Sequence, residues 1–400
     1  MAGRLPAGGP GWYPASVPDP PLWIRTPAEL ATLVHELAGT EAVAVDTEAD
    51  SLHHYPERLC LIQLADPAGR VVFVDPLALP DLEALRPLFA DPTTVKVLHS
   101  AENDLAHLKR RLGLTIAGLF DTMLAARFLG VRELGLETLL ARYLGVAAAK
   151  SQQKTDWARR PLTAAQEAYA ADDVRHLIPL RDRLTRELRA LGREPWLVEE
   201  CAALAALPIP ERPPDDNGYR RLSGASRLDG PGLAVLRTLY AQREAWARAE
   251  RRPPFKVLSP ETLVALARSR PASRAELAGV PGLPFRLVDR YGAGLLDAIA
   301  RGLAAPVPET PAPPRPRPRG VSPVVRQRAD ALRRWRAEAA SQVELDPGVL
   351  LPQRLIDALA AAPPADLAAL AAVPGVRRWR AERFGAAILA ALGPAAQRSR

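Results

Sequence analysis

Along its first two hundred residues the chain alternates between strand-like and helix-like patterns. Residues 26–39 place apolar side chains at helical spacing behind a threonine suited to an N-cap, and they end on a glycine. Residues 95–100 predict a strand that leads directly into a helix, and the pattern beyond, to about residue 193, is almost entirely helical. Three further segments rich in β-branched and other apolar residues predict strands: 41–48, 58–66 and 70–76.

These elements predict an α/β domain over residues 22–205. Three successive strands with short connections are typical of an antiparallel meander. The strand at 95–100 follows a helical segment, so we expect it to join the same sheet through a crossover. The expected architecture is a mixed sheet covered by helices.

The rest of the chain contains two all-helical regions, 222–303 and 322–393, that are copies of one another. When they are aligned with a shift of 93 residues, apolar positions coincide without gaps. Val280-Pro281-Gly282, for example, coincides with Val373-Pro374-Gly375. Such a repeat indicates a tandem duplication of a small helical bundle.

Proline-rich segments separate these regions. Residues 206–221 and 304–321 lack apolar periodicity, so we expect linkers there. Residues 1–21, rich in proline and glycine, predict a disordered leader. Because few contacts should cross such a linker, we expect the α/β domain to stay folded when the chain beyond residue 304 is removed.

The composition favours a soluble chain with several domains. Of 400 residues, 48% are hydrophobic, enough for buried cores. No run of about eighteen apolar residues indicates a membrane span, and no secretory signal is evident, so we expect a cytoplasmic protein. The two cysteines, Cys60 and Cys201, lie far apart among apolar residues, which argues against a disulfide framework or a cysteine metal site.

The charge is distributed unevenly. Residues 1–200 carry 22 Lys+Arg and 27 Asp+Glu, a net charge of −5, whereas residues 201–400 carry 31 and 18, a net charge of +13. A basic half indicates a polyanionic partner such as nucleic acid. Only five of the 53 basic residues are lysine, so a coding bias toward arginine stays open as another explanation.

Two acidic residues in a predicted strand are candidate metal ligands. Strand alternation puts Asp46 and Glu48 on one face, with Val45 and Thr47 on the other. Neighbouring carboxylates repel each other unless a cation neutralises them, and oxygen ligands favour Mg²⁺ or Mn²⁺. A solvated pair at the end of a strand is the simpler alternative.

Further candidates lie downstream. Asp104 begins the helix after the strand at 95–100, where a carboxylate is also favoured by the helix dipole. Tyr169 and Asp173 are four residues apart, so they share one helix face, whereas Asp172 points elsewhere. An ordinary amphipathic helix would explain the latter pair equally well.

In combination, these residues resemble the DEDDy superfamily of 3′–5′ exonucleases. The set is Asp-x-Glu on a first strand, Asp after a later strand, and Tyr-x-x-x-Asp on a closing helix. Within the superfamily the chain is similar to the ribonuclease D family through residues 45–66, 96–108, 119–130 and 143–177. The helical repeats resemble the helicase-and-RNase-D C-terminal (HRDC) domain, with the second copy more divergent.

The resemblance implies a ribonuclease H-like sheet and two divalent cations, Mg²⁺ or Mn²⁺. By that resemblance Asp46 contacts both ions, Glu48 and Asp173 hold the first, and Asp104 holds the second. Such an arrangement suits phosphodiester hydrolysis, because two ions activate water and neutralise charge on the phosphate and the leaving oxygen. Tyr169 would orient the attacking water; whether it accepts a proton stays open, since an ordinary tyrosine pKa is about 10.

Basic residues are the candidates for nucleic-acid contact. In the repeats they are interleaved with aromatic residues, a combination that can hold phosphates and stack on unpaired bases, although a solvated arginine-rich face would look the same. Neighbours in these patches include Arg243, Phe255, Trp379 and Arg380. The candidate contacts are His54, Lys150, Arg251, Arg252, Lys256, Arg377 and Arg378.

We therefore expect a metal-dependent 3′–5′ exoribonuclease. It would act as a monomer on the single-stranded 3′ ends of structured RNA, such as tRNA precursors, and release nucleoside 5′-monophosphates. A DNA 3′–5′ exonuclease stays open, because no residue that reads the 2′-hydroxyl can be located. The other alternative is a catalytically inactive RNA-binding adaptor, against which the complete set of four acids and Tyr169 argues.

Overall fold

A mixed six-stranded sheet forms the centre of the N-terminal half. The computed structural model describes residues 19–113, 116–147, 151–208, 215–309 and 322–393. The strands are β1 (Leu22–Ile24), β2 (Ala42–Ala49), β3 (Leu59–Ala65), β4 (Val71–Val74), β5 (Val95–Leu98) and β6 (Leu119–Asp121). Their order across the sheet is β1-β4-β3-β2-β5-β6. Residues 1–18 of the predicted leader and parts of both predicted linkers lie outside the described residues.

The pairing confirms the predicted meander. β2, β3 and β4 pair antiparallel in succession, and β5 lies parallel to β2 on its other side. The sequence pattern does not predict β1 and β6. Each has only three residues, too few for an alternation to be visible, and each joins an edge of the sheet in parallel.

Helices cover both faces of this sheet. One face packs against α1 to α3 in a core that includes Val45, Leu33 and Leu105. The opposite face packs against α6 and α7 in a core that includes Ala44 and Val174. The helices of this half are α1 (Pro27–Leu37), α2 (Arg86–Ala90), α3 (Glu102–Leu112), α4 (Thr122–Phe128), α5 (Leu136–Leu144), α6 (Ala164–Arg175), α7 (Leu177–Ala190) and α8 (Glu194–Ala206).

The alternation along β2 continues from the core to the end of the strand. Val43 and Val45 belong to the core under α1 to α3, whereas Ala42 and Ala44 belong to the core under α6 and α7. Residues two apart on a strand face the same way. Asp46 and Glu48 are therefore on the α6 side, and Thr47 is on the α3 side.

The remaining helices form two bundles whose geometry confirms the repeat. Corresponding helices begin 93 residues apart, at 230 and 323, 254 and 347, 260 and 353, 274 and 367, and 285 and 378. None of the described helices is long and apolar enough to cross a membrane. The first bundle contains α9 (Gly230–Ala249), α10 (Pro254–Val257), α11 (Pro260–Ser269), α12 (Arg274–Ala278) and α13 (Phe285–Ala304). The second contains α14 (Pro323–Gln342), α15 (Pro347–Leu350), α16 (Gln353–Ala361), α17 (Leu367–Ala371) and α18 (Arg378–Leu392).

The second bundle shares a hydrophobic core with the α/β half. Its Leu332 and Trp379 belong to the same buried cluster as Phe128 of α4 and Leu197 of α8. The ring of Trp379 stacks on that of Trp196, with centroids 4.6 Å apart. The expectation that few contacts connect the chain beyond residue 304 to the α/β domain is therefore wrong. Removing it would expose apolar surface that α4 and α8 bury against it.

Polar contacts reinforce this interface. The Glu199 carboxylate accepts hydrogen bonds from the first two backbone N–H groups of α18, at 2.6 and 3.0 Å. Glu200 pairs with Arg377 at 3.1 Å and with Arg380 at 2.5 Å. Two neighbouring acids on α8 therefore cap one helix and neutralise two arginines of the second bundle.

The first bundle contacts the α/β half through a different residue. The ring of Tyr55, in the loop after β2, packs against the core of this bundle. Its hydroxyl donates a hydrogen bond to Glu244 of α9 at 2.7 Å. Arg248 lies over the same ring, 5.9 Å from its centroid.

Replacing Trp379 with alanine should lower the free energy of unfolding of the full chain by about 3–5 kcal/mol, because it empties the centre of the shared core. Phe285→Ala, at the start of α13, is the control: its side chain is 68% exposed, and a change within about 0.5 kcal/mol is expected. Urea unfolding followed by far-ultraviolet circular dichroism measures both. Similar small losses in the two variants would contradict the shared core.

Candidate active site

Three carboxylates meet at the end of β2. Asp46 and Glu48 lie two residues apart on this strand, and Asp173 approaches them from α6. One oxygen atom of each lies within 4.8 Å of the others. The fold thus brings together the two strand acids and the aspartate of the closing helix, as the sequence predicted.

The first turn of α6 is held firmly, which fixes the face that it presents to β2. Thr163 and Gln166 form a reciprocal capping box at its N-terminus. The Gln166 amide also donates a hydrogen bond to Thr155 Oγ1 at 3.1 Å, so the helix is tied to the preceding loop. Tyr169 and Asp173 follow, one turn apart.

Tyr169 is buried beside the acids. Its side chain is 8% exposed, and its hydroxyl donates a hydrogen bond to the Asp173 carboxylate. Its ring lies against the fully buried Trp157, with centroids 6.1 Å apart. Burial and the nearby carboxylates raise the pKa of Tyr169 above its ordinary value, so the phenol stays protonated.

Asp104 reaches the same end of β2 from the other face of the sheet. It lies in the first turn of α3, directly after β5, and is 7% exposed. Thr47 Oγ1 donates a hydrogen bond to its Oδ1 at 2.5 Å. Asp104 is not part of the three-carboxylate group, although its charge acts on Asp46.

Sequence reasoning missed Gln63, which lies opposite Asp46 on β3. This glutamine is completely buried, and its Nε2 donates a hydrogen bond to Asp46 Oδ2 at 3.1 Å. A lone amide in the apolar run from Leu59 to Ala65 is the signal that could have identified it, because a buried amide requires a polar partner.

Burial and like charge raise the pKa of all four carboxyl groups. Asp46 has a pKa well above its ordinary value, because it is desolvated and because three other acids surround it. Desolvation raises the pKa of Glu48 to about 9 and the pKa values of Asp104 and Asp173 to about 7. A divalent cation removes this repulsion, and Mg²⁺ or Mn²⁺ prefers such oxygen ligands. The donor set therefore fits a divalent metal ion.

A cleft of about 800 Å³ opens beside the acids. Glu48 and Asp104 line it at the end of β2, and the face of α3 continues it. Leu204 and Leu207, at the end of α8, complete the lining. Glu48 and Asp104 are thus accessible from this cleft, whereas Asp46, Tyr169 and Asp173 do not line it.

Comparison with known proteins identifies the family. A 3′–5′ exonuclease domain family matches residues 21–189, and the HRDC domain family matches residues 232–299 and 325–392. Ribonuclease D of Pseudomonas paraeruginosa is 35% identical over 380 residues, which cover 92% of this chain and 97% of that protein. The chain belongs to the ribonuclease D family. It is therefore a 3′–5′ exoribonuclease, with both repeats being HRDC domains as predicted.

Other members of the ribonuclease D family agree in length and fold. The protein of Gluconacetobacter diazotrophicus is 33% identical over 94% of this chain and 93% of its own. The crystal structure of Escherichia coli RNase D, an exoribonuclease involved in structured RNA processing, superposes with a TM-score of 0.67 at 28% identity. The superposition covers 94% of this chain and 100% of the Escherichia coli chain. The ribonuclease H-like mixed sheet followed by helical bundles is thus the fold of this family.

The residues predicted to contact nucleic acid lie in different settings. His54 Nδ1 is 3.1 Å from the buried Asp50, which restrains its ring. Arg251 and Lys256 are exposed, whereas Arg252 lies 3.4 Å from Glu250. Arg378 is 79% exposed, and Lys150 falls outside the described residues.

Several members of the arginine and aromatic patches are not available to RNA. Trp379 and Arg380 are 3% and 5% exposed because both form the interface with α8. Arg377 is paired with Glu200 in the same interface, which disfavours a nucleic-acid contact. Arg243 of the first bundle is also only 5% exposed and lies against Glu244. Spacing on a helix does not distinguish these interface positions from a solvated basic face.

The metal-free protein should lose stability as pH rises from about 5 to 9. The carboxyl pKa values of Glu48, Asp104 and Asp173 are above the ordinary value of about 4, so the folded state binds more protons than the unfolded state over this range. These three carboxyl groups are protonated in both states below about pH 4. Their contribution to stability is lost as the pH rises through their pKa values in the folded protein.

Asp46→Asn should raise the metal-free Tm at pH 8 and flatten its decline with pH, because one of the repelling charges is gone. Asp216→Asn makes the same chemical change at an exposed position outside the three-carboxylate group and should keep the wild-type slope. Thermal melts in EDTA at pH 5 to 9 measure both, and added Mg²⁺ should raise the wild-type Tm. A wild-type Tm independent of pH and of Mg²⁺ would contradict the site.

Proposed function

We propose that this enzyme removes nucleotides one at a time from the 3′ ends of structured RNA, with tRNA precursors as the substrate class, and releases nucleoside 5′-monophosphates. The observation that carries the proposal is the convergence of Asp46, Glu48 and Asp173 within 4.8 Å, next to Tyr169, in a chain of the ribonuclease D family. The similarity in fold to Escherichia coli RNase D, an exoribonuclease involved in structured RNA processing, supports structured RNA as the substrate.

The proposed reaction uses two divalent cations, Mg²⁺ or Mn²⁺. Asp46 would contact both, Glu48 and Asp173 would hold one, and Asp104 would hold the other. Asp104 lies apart from the three-carboxylate group, which supports two separate positions for metal ions. When bound, the ions would activate water and neutralise charge on the phosphate and the leaving 3′-oxygen.

Neighbouring side chains of the protein hold the proposed metal ligands in place. The Gln63 amide fixes one oxygen of Asp46, and the Thr47 hydroxyl fixes one oxygen of Asp104. In the metal-free site Tyr169 keeps its proton and hydrogen bonds to Asp173, so we assign it the role of orienting the attacking water.

Incubation with 3′-labelled RNA and with DNA of the same sequence, in Mg²⁺, Mn²⁺ or EDTA, tests the proposed function. We expect labelled nucleoside 5′-monophosphate from RNA with either metal and none in EDTA. Faster release from DNA would identify a DNA exonuclease. Metal-dependent RNA binding without any release would identify an RNA-binding adaptor.

Asp46→Asn and Asp173→Asn should each slow single-turnover hydrolysis by about a thousandfold or more, roughly 4 kcal/mol of barrier, because an amide lacks the charge that holds a cation. RNA affinity should stay within about threefold, since the carboxylates repel phosphate. Asp216→Asn, at an exposed position outside the site, is again the matched control and should hydrolyse RNA at the wild-type rate. Near-normal rates for the first two variants in both metals would refute the assigned roles.

A further inference from the structure

The cleft beside the acids has two chemically different walls. Asn103, His107 and Arg110 line it from α3, and their spacing places them along one face of that helix. Leu207 and Pro208, directly after α8, provide an apolar part of the lining. A nucleic-acid strand is likewise two-sided, with anionic phosphates along one edge and largely apolar base faces along the other.

Arg110 has a special position in this cleft. Among the described residues that line it, Arg110 is the only lysine or arginine, and it is exposed. No described carboxylate forms an ion pair with it, whereas Glu57, in the same lining, lies 3.9 Å from His107. The other charged groups of the lining are carboxylates, which repel phosphate. Among the described lining residues, the guanidinium of Arg110 is therefore the group best suited to bind a phosphate.

The apolar wall is fixed by the residue next to Arg110. Lys109 Nζ donates hydrogen bonds to the backbone carbonyl oxygens of Ala205 and Leu207, the second at 2.7 Å. This contact holds the end of α8 against α3. The side chain of Leu207 nevertheless stays 48% exposed. A half-exposed leucine in a cleft that leads to the acids provides a surface on which a base can pack.

We propose that Arg110 and Leu207 form a subsite for the RNA strand on the 5′ side of the scissile phosphodiester, with Arg110 binding a phosphate and Leu207 packing against a base. The proposal rests on the proposed function and specifies the path of its substrate. The lining of the cleft includes Glu48 and Asp104 of the site together with residues of α3 and of the end of α8. The rest of a long substrate must leave the site through such an opening.

Arg110→Gln tests the phosphate contact, and Arg111→Gln is its matched control. Arg111 is also exposed on α3, and it does not line the cleft. In the Asp46→Asn background with Mg²⁺, Arg110→Gln should weaken the binding of a 5′-labelled octanucleotide RNA about tenfold. It should also reduce the slope of log affinity against log salt by about 0.7. Arg111→Gln should change affinity less than twofold.

Substrate length provides the second measurement. With wild-type acids, Arg110→Gln should raise KM for the octanucleotide about tenfold while kcat stays within threefold, because this binding is uniform between ground and transition states. A dinucleotide has no upstream phosphate, so its KM should not change. Leu207→Ala should weaken octanucleotide binding without changing the salt slope. Equal effects of Arg110→Gln and Arg111→Gln, or equal effects on both substrate lengths, would overturn the subsite.

The two proposals fail in different ways. If the wild-type chain hydrolyses RNA but Arg110→Gln behaves like its control, the subsite is wrong and the proposed function stands. If the wild-type chain releases no nucleotide, the proposed function is wrong. The subsite is then supported or overturned by the binding titrations alone.

Discussion

The close approach of buried acidic side chains is the constraint on which the rest of this structure depends. Three carboxylates within 4.8 Å of one another repel strongly when they are desolvated, as their raised pKa values show. Such a group persists only where the scaffold is fixed on several sides. A central strand, a capped helix and two hydrogen-bond donors, Gln63 and Thr47, provide that scaffold.

Helix α8 connects this site to the second HRDC domain. Trp196, Glu199 and Glu200 on this helix hold α18. The end of the same helix is fixed to α3 by Lys109 and lines the cleft. The second HRDC domain therefore supports one wall of the cleft by packing, whatever it contributes to RNA binding.

The two HRDC domains share a fold but contact the α/β half differently. Substitutions at single corresponding positions explain this difference. Trp379, buried against α8, corresponds in the repeat to the exposed Arg286 of the first domain. Arg380, paired with Glu200, corresponds to Leu287. The first domain thus lacks the residues that dock its copy, and its contact with the α/β half is made through Tyr55 and Glu244.

The sequence by itself determined the meander and the 93-residue repeat, because these depend on periodicity, and it identified the acids of the site because their order along the chain resembles that of a known family. The alternation along β2 was enough to place Asp46 and Glu48 together. Only the tertiary structure decided that Gln63 fixes Asp46, that Trp379 is buried while Arg378 is exposed, and that Arg110 lines the cleft. These facts depend on which distant surfaces meet. A local sequence pattern shows whether a side chain is apolar or charged. Which residue that side chain contacts depends on the packing of the whole chain.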